Sequence, residues 1–176
     1  MKKFAFSAVV AAMGMTGLVS QSIAGSSTAA MEITATVDSY CAISATSMNF
    51  GKYEPTATDA KYGTGTLTLT CTKGTTPSVI RLDAGIHSGG SGVRTMATAD
   101  TGSDPLAYEL YKPVASGTCS TLNTDVWGFT DEAALAVTGV ATIASPGTFS
   151  VCGKIAAGQD VKAGAYADQV TAQVDF

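Results

Sequence analysis

The sequence contains few of the residues from which catalytic and metal sites are usually built. It has one histidine, His87, and its four cysteines include no C-x-x-C pair. The carboxylates are dispersed without the spacing of an EF-hand loop, which argues against a calcium site. The sequence also has no Gly-x-Ser-x-Gly nucleophile elbow. We therefore expect no catalytic residues, no metal, no cofactor and no small-molecule substrate.

Charged residues are also scarce, and positive charge is the scarcer sign. Lysine and arginine together number 10, against 14 aspartate and glutamate residues, so the formal net charge is −4. Nucleic-acid binding requires a concentrated basic face, and attachment to a membrane surface requires an amphipathic helix rich in basic residues. The sequence offers neither feature, so we expect no nucleic-acid partner.

The N-terminus has the pattern of a secretory signal peptide. Met1–Lys3 is positively charged, Phe4–Val19 is apolar, and Ser22–Ala24 places small residues before a cleavage site at Gly25. A transmembrane anchor is the alternative, but the apolar run is short, rich in small residues and lacks a positive flank after it. We predict export and removal of this segment. A second cut, after Ala30, stays open.

The even number of cysteines in an exported chain predicts two disulfide bonds. The residues are Cys41, Cys71, Cys119 and Cys152. Four cysteines allow three connectivities. We favour Cys41–Cys71 and Cys119–Cys152, because sequential pairs join neighbouring strands without crossing, and the other two connectivities stay open.

The exported part shows recurrent strand patterns and few helix signals. Short runs that alternate apolar and polar residues, or that are rich in aromatic and β-branched residues, predict strands. These runs are Met31–Val37, Thr66–Cys71, Val79–Ala84, Leu106–Tyr111, Val126–Phe129, Thr148–Ile155 and Gln169–Phe176. Turn-forming segments separate several of them, and only Asp131–Leu135 has the composition of a helical turn. The sequence predicts one all-β domain, an antiparallel β-sandwich.

Both ends of the exported part carry alternating strand patterns. Near the N-terminus the apolar positions are Met31, Ile33, Ala35 and Val37. At the C-terminus the apolar positions of one face are Val170, Ala172, Val174 and Phe176. Because no tail follows this run, we expect a sheet that lacks the strand covering its edge, which is an aggregation hazard. Donation of the N-terminal strand to another chain would remove the hazard; pairing within its own sheet is the alternative.

A set of short motifs follows a fixed order along the exported part. The motifs are Cys41, Met48–Tyr53, Leu67–Cys71, Arg94–Met96, Leu106–Tyr111, Gly153–Ile155, Gly164–Asp168 and the closing Phe176. No single motif is specific, but in this order the chain resembles the spore coat protein U domain family, which includes the pilins of archaic chaperone–usher fimbriae. The resemblance extends from about Met31 to Phe176.

The resemblance implies an incomplete immunoglobulin-like antiparallel β-sandwich that is completed by donor-strand exchange. Residues 1–24 would be the signal peptide, 25–40 the N-terminal extension with the donor strand, and 41–176 the pilin domain. The implied partners are identical or related pilin subunits, a periplasmic chaperone and an outer-membrane usher. The implied product is an extracellular fimbrium at the cell surface, which serves adhesion and biofilm formation.

By position, the resemblance assigns roles to the two terminal sets of residues. The apolar residues of Met31–Val37 match the donor strand of the family. Those of Gln169–Phe176 match the terminal strand that contacts the chaperone and borders the acceptor groove. The Cys41–Cys71 pair matches a common bridge of the family, whereas a Cys119–Cys152 pair is less general.

Two other classes of function compete with a fimbrial subunit. A self-contained secreted β-sandwich adhesin or lectin would bind through its loops, with Trp127 stacked on a sugar, although a lone tryptophan in a small sandwich is more often a core residue. A coat protein would share the fold and differ in location. An enzyme would need a triad of His87 with Ser88 and Asp83, but the turn composition around His87 favours a solvated turn residue.

Overall fold

The computed structural model describes residues 25–88, 92–99, 104–114, 119, 124–139 and 141–176. The predicted signal peptide, 1–24, lies outside the described residues. The described residues form nine β-strands, which are β1 (Cys41–Ala45), β2 (Lys61–Cys71), β3 (Val79–Leu82), β4 (Arg94–Thr98), β5 (Leu106–Tyr111), β6 (Leu135–Ala136), β7 (Gly147–Ile155), β8 (Tyr166–Ala167) and β9 (Ala172–Asp175). Within these ranges no helix has the length and apolar character needed to cross a membrane.

The strands form two sheets of unequal size. The larger sheet has six strands in the order β1-β2-β7-β5-β4-β8, and the smaller has three in the order β6-β3-β9. Every pair of neighbouring strands is antiparallel. Buried residues of both sheets, such as Leu69 of β2 and Ile80 of β3, belong to one hydrophobic core. The prediction of an all-β antiparallel sandwich is confirmed.

The longest strand, β2, shows why the larger sheet has a buried face. Leu67, Leu69 and Cys71 are buried, and the threonines between them are half-buried on the other face, as expected for side chains that alternate across a strand. The strand begins at Lys61 rather than at the predicted Thr66, because its first half also pairs with β7. That half contains glycines, which have low strand propensity, so its pattern does not predict a strand.

Other predicted strands differ in extent from the observed ones. β5 has the predicted bounds, β7 begins one residue earlier than predicted, and β3 and β9 are shorter than the runs that predict them. The predicted strand Val126–Phe129 is wrong, because Val126 makes only a single bridge with Tyr111 and Trp127 then enters the core. At the expected helical turn, the Ala134 amide donates to the Thr130 carbonyl at 2.9 Å.

Trp127 is a core residue rather than a surface residue. Its side chain is completely buried, and its indole N–H donates to the Ile80 carbonyl at 2.9 Å. A buried indole usually finds such a partner, because an unpaired donor in the core is costly. This confirms the core interpretation and removes the residue on which sugar stacking would depend.

Two disulfide bonds connect the four cysteines in the favoured pairs. Cys41 of β1 lies directly opposite Cys71 of β2, and their Cα atoms are 4.0 Å apart. Cys119 is bonded to Cys152 of β7, with a Cα–Cα distance of 5.3 Å. The first bond attaches the beginning of the edge strand β1 covalently to the sheet and holds its register.

A buried arginine connects the two sheets. The Arg94 side chain extends from β4 and is 3% exposed. It pairs with the Glu109 carboxylate at 2.6 Å and donates to the carbonyls of Leu82, Asp83 and Trp127 at 3.2, 2.9 and 2.7 Å. Leu82 ends β3 of the smaller sheet. The Arg94 guanidinium therefore connects β4 of the larger sheet with β3 and with the segment that contains Trp127.

Replacement of Arg94 by methionine should strongly destabilise the fold. The variant keeps an apolar stem of similar length, but Glu109 loses its cation and three carbonyls lose a donor. Removal of one partner of a buried pair costs about 3–5 kcal/mol, and chemical denaturation of the exported protein would measure that loss in the free energy of unfolding. Lys52→Met is the control, because the Lys52–Glu54 pair is exposed and exposed pairs contribute little to stability. Equal losses in both variants would contradict the role of Arg94.

Candidate functional site

An open cleft lies beside β1 and β9, which are edge strands of the two sheets. Several pairs of Cα atoms of β1 and β9 lie within 8 Å of each other, and the cleft opens where β1 ends at Ala45 and where the chain enters β9 at Ala172. The volume of the cleft is about 450 Å³. Both sheets contribute to its walls, and most of the contributing side chains are apolar. The apolar lining residues include Ala45, Met48, Phe50, Leu67, Leu82, Met96, Leu110, Val151, Val170 and Ala172.

Each of the two edge strands has a strand partner on one side only. Among the described strands, β1 pairs with β2 and β9 pairs with β3, and each lies at the end of its sheet. In an antiparallel pair, successive residues point their backbone groups alternately toward the partner and away from it. An edge strand therefore presents a row of N–H and C=O groups to whatever lies beside it.

The hydrogen bonds of β3 show which residues of β9 point toward the open side. The Asp83 amide donates to the Thr171 carbonyl at 3.0 Å, whereas the Leu82 amide donates away from β9, to the Gly128 carbonyl at 3.1 Å. Leu82 lies opposite Ala172, so the N–H and C=O of Ala172 point away from β3. By the same alternation, the backbone groups of Val174 also point away from β3.

β1 shows the same alternation on the other side of the cleft. The Thr46 amide donates to the Thr66 carbonyl at 2.9 Å, and the Thr72 amide donates to the Tyr40 carbonyl at 2.8 Å. The residues at odd positions between them, including Ile43 and Ala45, therefore point their backbone groups away from β2. β1 and β9 thus both have backbone groups at every second residue that point away from their own sheet, and Ala45 and Ala172 are the two of these residues that line the cleft.

Glycines form a floor beneath Met48 and Phe50, two side chains that line the cleft. Gly63 of β2 and Gly153 of β7 lie under both side chains, and Gly65 of β2 lies under Met48. A Cβ atom at position 153 would overlap the Met48 sulfur and would lie 2.6 Å from Phe50 Cζ. The glycines therefore make room for two large side chains that shape the inner wall.

A buried carboxylate holds the chain where it crosses from the larger sheet to the smaller one. Asp168 follows β8, has a side chain that is 3% exposed, and lines the cleft. The Tyr108 hydroxyl donates to it at 2.6 Å, and His87 Nδ1 lies 3.0 Å from it. Burial, and then the hydrogen bond to Asp168, raise the pKa of the Tyr108 phenol well above its usual value, so the hydroxyl remains a donor. His87 lies in a turn and pairs with Asp168 rather than with Asp83.

Charged groups also attach β9 to β3. Arg81 Nη2 lies 2.8 Å from the Asp175 carboxylate, and Arg81 Nη1 lies 2.8 Å from Asp131. The side-chain amide of Gln173 donates to Asp175 at 2.9 Å. The hydrogen bond from Gln173, and then the one from Arg81, lower the pKa of the Asp175 carboxyl below its usual value. The carboxylate is therefore the form that holds β9 in place.

The four predicted terminal-strand residues differ in their exposure and in whether they line the cleft. Val170 and Ala172 line the cleft, and Val174 is half-buried against the core. Phe176 is 55% exposed. Contact of these residues with a chaperone or a donated strand stays a prediction. Of the cleft residues, Met48, Tyr108 and Asp168 lie in motifs noted in the sequence, but nothing in the motifs themselves indicates a cleft.

The predicted donor residues are exposed and form no strand in the structure. No strand is assigned to Met31–Val37, and the exposed fractions are 83% for Met31, 86% for Ile33 and 79% for Val37. Ala35 is exposed as well. Their role as a donor strand stays a prediction.

The described part of the chain contains no group of three or more histidine, cysteine, aspartate or glutamate side chains arranged to hold a metal ion. In that part, the exposed Lys52–Glu54 pair and the Arg81 pairs lie on the surface or at its margin. The cleft is the feature in which apolar surface and unpaired backbone positions coincide.

Comparison with known proteins identifies relatives over nearly the whole chain. The family model for the Spore Coat Protein U domain matches residues 27–173. Protein U of Myxococcus xanthus is 30% identical over 188 aligned residues, which cover 99% of this chain and 98% of that protein. Among solved structures, the CsuC–CsuE chaperone–tip adhesion subunit pre-assembly complex from archaic chaperone-usher Csu pili of Acinetobacter baumannii contains a similar chain, with a TM-score of 0.55 and 24% identity. The match covers 80% of this chain and 40% of that one, and it confirms the immunoglobulin-like fold.

A side chain at position 153 should disturb the wall of the cleft. In Gly153→Ala the new methyl group would displace Met48 and Phe50, and overpacking of this kind costs about 1–3 kcal/mol. Thermal unfolding would measure the loss. Gly65→Ala is the matched control, because its Cβ would have no neighbour closer than 3.6 Å. If Gly65→Ala proved as damaging as Gly153→Ala, the proposed packing over the glycine floor would be wrong.

The attachment of β9 should weaken in acid. Because the folded-state pKa of Asp175 is lowered, its contribution to stability is present above the unfolded pKa of about 3.9 and is lost as the pH falls through the folded pKa. We expect the protection of the β9 amides from hydrogen exchange, measured relative to the intrinsic exchange rate at each pH, to fall below that range in the natural protein. In Asp175→Asn this loss of protection should be smaller, because the group no longer titrates. The same acid response in both proteins would exclude Asp175 as its cause.

Proposed function

The chain belongs to the Spore Coat Protein U domain family, and from this premise and from its open cleft we propose that it is the structural subunit of a chaperone–usher pilus. In this proposal the subunit polymerises by donor-strand exchange. Met31–Val37 of one subunit enters the cleft beside β1 and β9 of the next. The protein is then a fibre component and not an enzyme.

The proposal rests on one observation: apolar side chains and outward-pointing backbone groups occur together in the cleft. Its walls are mainly apolar side chains, and both of its edges carry backbone groups that point away from their own sheet. A strand satisfies both, because it provides backbone donors and acceptors along its edges and side chains on one face. A small ligand would satisfy only the apolar walls.

The N-terminal segment has the length and pattern that such a strand needs. Met31–Val37 contains seven residues and spans about 23 Å when extended. Its apolar residues occupy alternate positions and are exposed. Burial of each of the three larger side chains in a neighbour contributes up to about 1.5–3 kcal/mol.

The proposal also implies partners and a route. A subunit with an open cleft and two free edges is prone to aggregate, so a periplasmic chaperone would cover the cleft by strand addition until assembly. Val170, Ala172, Val174 and Phe176 would lie at this contact. An outer-membrane usher would then exchange the chaperone for the next subunit. The fibre at the cell surface would serve adhesion and biofilm formation. The fold shared with a subunit of Csu pili supports this route.

A charge at the centre of the donor segment should stop polymer growth. In Ile33→Asp an unpaired carboxylate would have to enter an apolar cleft, and burial of an unpaired charge is strongly unfavourable. We expect normal amounts of the subunit in the periplasm by immunoblot and loss of surface fibres in negative-stain electron microscopy.

Thr34→Asp provides the matched control for this experiment. It places the same charge one residue further along, on the face of the segment that would point away from the cleft. We expect fibres from this variant. Normal fibres from Ile33→Asp would show that Met31–Val37 is not the donor strand.

A further inference from the structure

Two large apolar side chains are exposed at one end of the sandwich. Tyr40, which precedes β1, is 62% exposed, and Ile143, in the segment before β7, is 83% exposed. We call these two residues the end patch. Neither contributes to the core or to the cleft, so the function proposed above does not yet use them.

Backbone hydrogen bonds place the two residues on opposite sides of the end of β2. The Thr72 amide donates to the Tyr40 carbonyl at 2.8 Å on one side of β2, and the Cys71 amide donates to the Ala141 carbonyl at 3.1 Å on the other side. Cys71 also forms a parallel bridge with Thr142, the residue before Ile143. Strands in a sheet are about 4.8 Å apart, so the two segments lie about 10 Å apart, with the end of β2 between them.

The chain between the donor segment and the sandwich is short. Only Asp38, Ser39 and Tyr40 separate Val37 from Cys41. Cys41 is buried and is bonded to Cys71, so it is a fixed point of the sandwich. Four residue steps span at most about 14 Å. The last residue of a donated strand therefore stays within that distance of Cys41, which is paired with Cys71 at the end of β2, wherever the acceptor holds it.

We propose that the end patch is a second contact between successive subunits, formed by Tyr40 and Ile143 against the surface around the mouth of the neighbour's cleft. This inference rests on the proposed function, because the short connection brings the neighbour to this end only when Val37 is in its cleft. The occupant is a second copy of the chain. The contact would restrict rotation of one subunit relative to the next, which a flexible connection alone would not do.

The chemistry of the end patch suits such a contact. Tyrosine is enriched in protein interfaces, since its ring buries a large area while its hydroxyl remains hydrated. Asp38 and Ser39 are exposed beside it and provide the polar margin that interfaces usually have. An apolar side chain that is 83% exposed, such as Ile143, gains from burial when the neighbour approaches.

Hydroxyl-radical footprinting of native fibres tests the inference, because it measures side-chain accessibility residue by residue. The unassembled reference is the full-length Ile33→Asp protein. We expect the oxidation rates of Tyr40 and Ile143 to fall several-fold in fibres. Phe129 is the internal control, since it is 52% exposed and lies near Arg81 of the smaller sheet, so its rate should stay unchanged.

The other possible outcomes would contradict either the end patch alone or the donor function together with the end patch. If Met31 is protected in fibres while Tyr40 and Ile143 react as in the reference, the end patch is not an interface and the donor function stands. If Met31 is not protected, or if Ile33→Asp itself forms fibres, the proposed function fails and this inference with it. In a second variant, Ile143→Asp, we expect fibres that form but in which Tyr40 loses its protection. Full protection of Tyr40 in that variant would also contradict the end patch.

Discussion

The open side of β9 is the constraint on which the functional account depends. β9 is held on one side by β3 and by the Arg81–Asp175 pair, and on its other side the backbone groups of Ala172 point toward the cleft. Burial of such groups without partners is costly, so whatever covers them must supply hydrogen bonds. The cleft can be closed only by something that supplies both backbone hydrogen bonds and apolar side chains, and a polypeptide strand does so.

Contacts elsewhere in the sandwich hold the two sheets together while this side stays open. Arg94 and Trp127 connect the two sheets through hydrogen bonds to carbonyls of Ile80, Leu82 and Asp83, which lie in or directly after β3, the strand next to β9. The Cys41–Cys71 bond holds β1 on the opposite edge. With both edges fixed in this way, the positions of the core residues do not depend on an additional strand. The same disulfide fixes the end of β2 beside which the neighbouring subunit would lie.

The sequence predicts those parts of the fold that local patterns determine. β5, β3 and the inner half of β2 follow from alternation, and Trp127 follows from the usual place of a lone tryptophan. β1 and β4 do not, because Cys41–Ala45 and Arg94–Thr98 consist mostly of small or polar residues with one large apolar side chain each, and they become strands through pairing with distant partners. The burial of Arg94 cannot be predicted from the sequence. Charged residues are rarely buried unless they are paired, and the partners of Arg94 come from three separate segments. The cleft likewise depends on non-local contacts, since Met48 and Asp168 lie far apart in sequence and share no pattern.

Cryo-electron microscopy of native fibres would show directly whether a donated strand occupies the cleft. We expect a continuous strand of density beside β1 and β9 of each subunit, with the side chains of Ile33 and Val37 in the cleft and an unbroken connection to the sandwich of the preceding subunit. Fibres in which the cleft is empty would exclude donor-strand exchange. So would fibres in which Met31–Val37 pairs within its own subunit.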